Sequence, residues 1–158
     1  MSHLTRFSFG ATSAIITCLA FIVGLARSPN PRFAIIGSLL VIAIADNISD
    51  SLGIHIYQES DLKKSDVIRK STVFNFITRF FVILVFILLI SFLPLLYASV
   101  LSIAWGISLL IVLSYYIARE QQVNPYKAIV GHVGIAVVVI IISNYLSEWI
   151  LGFFSTMT

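Results

Sequence analysis

Charge is scarce in this sequence. Only 17 of the 158 residues are Asp, Glu, Lys or Arg, or 11% of the chain, whereas an ordinary soluble domain carries roughly 25%. Hydrophobic residues make up 59%, and the mean hydropathy is +1.02. A soluble domain of this size needs polar side chains to cover its surface, so a water-soluble fold is excluded and the lipid bilayer is the expected solvent. Cysteine is nearly absent. The single Cys18 excludes an intrachain disulfide and any CxxC metal or redox motif, and it reads as a small packing residue. A continuous basic stripe is also missing. The net charge of +3 and pI of about 9.2 arise from short clusters separated by apolar segments, so nucleic acid is not an expected partner.

What remains is a series of membrane-length apolar runs. Between Arg6 and Arg27 lie 20 uncharged residues, about the length that crosses a hydrocarbon core at 1.5 Å per residue. A signal peptide is the competing reading of this stretch, but it is longer than the usual apolar region and no clear A-x-A site follows. After the turn RSPNPR, residues 33–58 form a second span interrupted only by Asp46 and Asp50. Residues 59–71, ESDLKKSDVIRKS, are the most polar in the chain. Phe80 to Ala118 comprise 39 uncharged residues, about 58 Å as helix and too long for one ~30 Å crossing; a turn is expected around Pro94. A final 20 uncharged residues run from 128 to 147. The expected fold is therefore all-α, one transmembrane domain over 1–158 with five helices at about 8–26, 33–58, 73–93, 97–118 and 126–152 and a cytoplasmic loop over 59–72.

The distribution of Lys and Arg sets the expected orientation. With the N-terminus in the cytoplasm, Arg6, Lys63, Lys64, Arg69, Lys70, Arg119 and Lys127 all fall inside, and only Arg27 and Arg32 fall outside. The C-terminus is then outside.

A carboxylate in mid-bilayer costs about 2.5 to 3.5 kcal/mol on insertion scales and needs a partner, water or a function. Asp46 lies near the midpoint of helix two, and Asp50 follows one turn later on the same face. With Asn47, Ser49 and Ser51 they form a polar wedge suited to a divalent cation or to proton exchange. Counted from the cytoplasmic helix ends, Asp50 lies about 12 Å deep, and Arg79 and His132 about 9 Å. An Asp50–Arg79 ion pair is therefore feasible, while Asp46 is expected to lack a basic residue at its depth. Asn75, four residues before Arg79, is placed to satisfy it.

Ser13 and Thr17 of helix one are candidates for a path lining. Together with Gly10, Ala20 and Gly24 they form a face of small residues that otherwise reads as helix packing, as do Ser99, Ser102 and Gly106 in helix four and Gly131 and Gly134 in helix five. His132 and, with it, His55 are candidate proton relays near the cytoplasmic boundary. Oxygen ligands without thiolate favour Mn(II), Fe(II) or harder ions over Cu(I).

The segments FGATSAIITCLAFIVGL, from Phe9 to Leu25, and IADNISDSLGIHIYQES, from Ile44 to Ser60, resemble the first two helices of the vacuolar iron transporter family, including its shorter nodulin-like and prokaryotic members. The resemblance implies five transmembrane helices, a cytoplasmic N-terminus, a prokaryotic cell membrane, a homodimer, and exchange of Fe(II) or Mn(II) against protons. In a gapless carry-over the family's helix-one aspartate falls on Ser13, its helix-two methionine on Asp50 and the glutamate upstream of that methionine on Ile42. The family's long cytoplasmic helices shrink here to about a dozen residues. The carboxylate role then passes to Asp46 and Asp50.

Two other readings stand beside transport. ARSPN, Gly37 and the D-x-x-x-D spacing of Asp46 and Asp50 bear a fainter resemblance to CDP-alcohol phosphotransferases, which hold two metals among four aspartates; two carboxylates do not assemble such a site, and neither an enzyme nor a resident cofactor is expected. The other is a non-transporting membrane scaffold whose polar residues join helices or protomers.

Overall fold

The computed structural model describes residues 3–61 and 63–155, and the side chain of Arg6 lies outside the described residues. Among them every regular element is helical. We number these helices α1 (His3–Gly24), α2 (Pro31–Ser60), α3 (Ser65–Phe92), α4 (Leu95–Glu120) and α5 (Pro125–Ser155). Four of them, α2 to α5, are long and apolar enough to cross a membrane, and α1 contributes a shorter apolar stretch, Gly10–Gly24. This is the pattern of a helical membrane protein.

Helix boundaries follow local chemistry. Pro31 opens α2 at its first turn, where a missing N–H is harmless. Pro94 ends α3 by forcing Leu93 into an extended conformation, which places the α3–α4 turn where the long apolar run required one. Arg32 secures the same end: its guanidinium donates to the Leu93 carbonyl at 2.7 Å and to that of Ser91 at 3.4 Å, both carbonyls of the last turn that have no later helical N–H to accept. Arg27 pairs with Glu148, which also accepts from Asn144, tying the α1–α2 turn to the far end of α5.

The expected loop over 59–72 is much shorter. Helix α2 runs to Ser60 and α3 begins at Ser65. The polar residues 65–71 form the first turns of α3, with Asp66 in the first turn where the helix dipole favours an acid. Polarity signals contact with water, and a helix end that projects past the membrane meets that condition as well as a loop does.

Helix α1 is the central shaft, packed by α3, α4 and α5. Its residues Ala11, Ala14, Ile15, Cys18, Leu19 and Ile22 are almost wholly buried, a spacing of three and four that keeps one broad stripe inward. The expected packing face through Ser13, Thr17, Ala20 and Gly24 lies beside this stripe, half-buried. In α4, Ala98, Ser102, Gly106, Leu110, Ser114 and Ala118 recur every four residues and are buried. Gly106 lets that row approach α1 closely: a Cβ there would stand 3.1 Å from both Leu19 methyl groups and 3.2 Å from Ile15 Cγ2. By contrast Gly131 and Gly134 are exposed, with nothing within 4 Å of an added Cβ, so they do not pack within the chain as expected.

Helix α2 lies at the edge of the bundle, against α3 and only lightly against α1. It is not uniformly α-helical. Ile42–Asp46 form a π turn, in which the Asn47 N–H reaches back to the Ile42 carbonyl. A row of residues four apart drifts around a 3.6-residue helix by about 40° per step; the wider π turn takes up that drift, so Ile35, Leu39, Ala43, Asn47 and Ser51 stay on the buried side.

Candidate functional site

Helices α2 and α3 are joined by a polar seam running from their connection toward mid-span. Gln58 Nε2 donates to Ser71 Oγ at 2.7 Å, His55 Nδ1 meets Thr72 Oγ1 at 3.2 Å, and Asn75 Nδ2 donates to Ser51 Oγ at 3.2 Å. Asn47 Nδ2 donates to the Phe76 carbonyl at 2.9 Å and to the Ala43 carbonyl, within the π turn, at 3.3 Å.

The seam ends in a charged cluster. Arg79 Nη1 donates to Asp50 Oδ2 and Nη2 to Asp46 Oδ2, each at 2.5 Å. One guanidinium therefore spans both carboxylates, each on its own terminal nitrogen, a placement that its planar fork fixes in direction. Arg79 is 1% exposed, yet the side chains it holds are 50% exposed for Asp46 and 31% for Asp50. They look outward from the edge of the bundle, on a face that also carries Ile44, Ile48 and Leu52. Two carboxylates against one guanidinium leave the cluster a single net negative charge in the middle of a 30-residue helix.

The expectation that Asp46 lacks a basic partner is thus corrected. It rested on helix three starting at residue 73, which sets Arg79 too shallow. With α3 starting at Ser65, the hairpin brings Ser51 opposite Asn75 and Asn47 opposite Phe76, and Arg79 falls beside 46 to 50. The signal was present in Ser65 and Asp66, a helix-start pair. Asn75 is also reassigned: its amide serves Ser51 rather than Arg79.

Of the other candidates, Asn47 is buried in the α2–α3 seam and Ser49 is exposed on the outer face of α2. Ser13 and Thr17 are half-buried on α1. His132 is held away from the carboxylates, on α5, by a 2.8 Å hydrogen bond from Nδ1 to Ser114 Oγ, whose own hydrogen goes to the Leu110 carbonyl. Among the described residues no group of three or more His, Cys, Asp or Glu is placed to hold a metal ion; the two aspartates offer only part of a coordination shell.

Several buried polar atoms in the seam have no protein partner: Asn47 Oδ1, Gln58 Oε1, Asn75 Oδ1 and Arg79 Nε. None of these was read from the sequence, because each depends on which side of a neighbouring helix it meets. Asn75 Oδ1 and Arg79 Cγ both border Gly10 of α1, so the shaft helix forms the back wall of the site.

No known protein family, curated protein or solved structure matches the chain.

Proposed function

We propose that the protein is a five-span membrane transporter of divalent metal ions, Fe(II) or Mn(II), exchanged against protons, with Asp46 and Asp50 in the path. The carrying observation is the surplus carboxylate: two acids share one guanidinium at mid-span, and both remain open to the outer face of α2. A purely structural pair needs one acid per base and gains nothing from leaving an anion half exposed there, where it costs about 2.5 to 3.5 kcal/mol. A cation or a proton on that carboxylate removes the penalty.

The short resemblance to vacuolar iron transporters in α1 and α2 supports the same ions, and it supports a homodimer in a prokaryotic cell membrane. A second copy against the outer face of α2 would cover the exposed acids and complete the ligand set. The clustering of Lys63, Lys64, Arg69, Lys70, Arg119 and Lys127 at the ends of α2 to α5 near the α2–α3 connection and the 121–124 turn supports a cytoplasmic location for those connections and for the N-terminus.

A dication cannot simply be added. At about 4 Å, a dication and a guanidinium repel by about 8 kcal/mol at an effective dielectric near 20, which favours a bound metal only where the guanidinium leaves at least one carboxylate. Liposomes containing the purified protein are expected to take up Fe(II) or Mn(II) along a pH gradient, and the Asp46→Asn, Asp50→Asn double variant to fall to background. Unchanged uptake by that variant overturns the reading.

The closed Arg79 contact favours a second reading, a membrane scaffold in which the cluster joins helices. It predicts that liposomes bearing the wild-type protein stay impermeable to every divalent ion tested.

A further inference from the structure

Resting on the transport reading, we propose that Arg79 is a tethered substitute for the transported cation. Its guanidinium neutralises part of the site when no ion is bound, and it retracts toward the Asn75 side-chain carbonyl when a dication takes its place between Asp46 and Asp50.

Three observations carry this. The guanidinium sits on one oxygen of each carboxylate at 2.5 Å, the bridging position that a cation shared by both acids would also take. An arginine stays protonated throughout, so it can clear that position only by moving. A destination exists on the same helix face: Asn75 is one turn before Arg79, close enough for their side chains to meet. Its Oδ1 is a buried acceptor without a partner, while Arg79 Nε is a buried donor without one. Both side chains border Gly10 of α1: a Cβ there would overlap Asn75 Oδ1 and stand 3.0 Å from Asn75 Cγ and 3.1 Å from Arg79 Cγ, so the two meet the same stretch of the central helix. Asp46 is half exposed on the side away from the buried guanidinium, the face against which the proposed second copy would close a path for the ion.

The exchange also avoids a bare state. With Arg79 in place the metal-free site holds one net negative charge rather than two, so a single proton taken up in the exchange neutralises what remains.

The test is Mn(II) binding to the purified full-length protein in detergent, followed by the electron paramagnetic resonance signal of free Mn(II), with Mn(II) uptake in liposomes measured in parallel. Arg79→Gln is expected to bind Mn(II) at least tenfold more tightly than wild type, because the internal competitor is gone. Arg79→Lys, which keeps the charge but lacks the fixed fork that holds each acid on its own nitrogen, is expected to fall between them. Asn75→Ala is expected to weaken binding at least threefold in the wild-type background and to have no effect beside Arg79→Gln. Equal or weaker binding by monodisperse Arg79→Gln, with wild-type uptake intact, overturns the role of Arg79 and leaves transport standing. If Arg79→Gln does not fold, unchanged affinity in Asn75→Ala alone overturns it. Absence of both Mn(II) binding and uptake in wild type overturns the transport reading and this proposal together.

Discussion

Gly10 of α1 lies directly against the carboxamide of Asn75 on α3: a Cβ built on Gly10 would overlap Asn75 Oδ1 and stand 3.0 Å from Cγ. The absence of a side chain there is what lets the central helix close over the charged cluster.

Gly10→Ala should therefore destabilise the bundle by about 1 to 3 kcal/mol, as overpacking does in other interiors. Thermal unfolding in detergent checks this. Adding Asn75→Ala should recover part of the loss, since the two changes share one contact; strictly additive losses would show that the overlap is relieved elsewhere.

The three charged residues of the cluster should respond unequally. Arg79→Leu strands two carboxylates and is expected to lose about 3 to 5 kcal/mol, the range for breaking a buried pair from one side. Asp46→Asn removes the surplus charge from a half-exposed position at mid-span and should raise stability, by up to about 2.5 to 3.5 kcal/mol, even where it abolishes ion uptake. Comparing the melting temperature of each variant with its uptake separates the two effects.

Gly106 faces Leu19 and Ile15 across the α1–α4 contact. Gly106→Ala meets flexible methyl ends, and its overpacking loss should stay near about 1 kcal/mol. Gly106→Leu has no such relief and should shift the detergent melting curve well beyond the alanine variant.

At the C-terminal end of α4, Gln122 has a φ of 55°, the left-handed conformation that closes many helices. The Val123 N–H returns to the Ala118 carbonyl at 3.0 Å, as in a Schellman closure. Gln122→Gly removes the steric penalty of a side chain at that angle. A rise in stability of up to about 1 kcal/mol is expected, and a fall would show that the side chain contributes more than its strain.

The apolar runs and the prolines at 31 and 94 made the helical order legible, because a chain in lipid must satisfy its backbone within each segment. Asp46, Asp50 and Arg79 stood out for a related reason: charge inside such a run is rare enough to mark itself. The triple contact was not legible, because it depends on the hairpin register and hence on where α3 starts. The π turn left no mark at all, since Ile42–Asp46 contains neither proline nor glycine. Small residues misled where composition was read as contact: Gly106 packs closely, whereas Gly131 and Gly134 face outward.

The contact of Arg32 with the end of α3 has a mechanical meaning. Helices α2 and α3 are joined at one end by the short connection between Ser60 and Ser65, at the other by that guanidinium, and along their length by the polar seam. They form a clamped pair that resists splaying. If the proposed transport holds, motion that exposes Asp46 and Asp50 first to one side of a membrane and then to the other would come from tilting this pair as a unit against α1, α4 and α5.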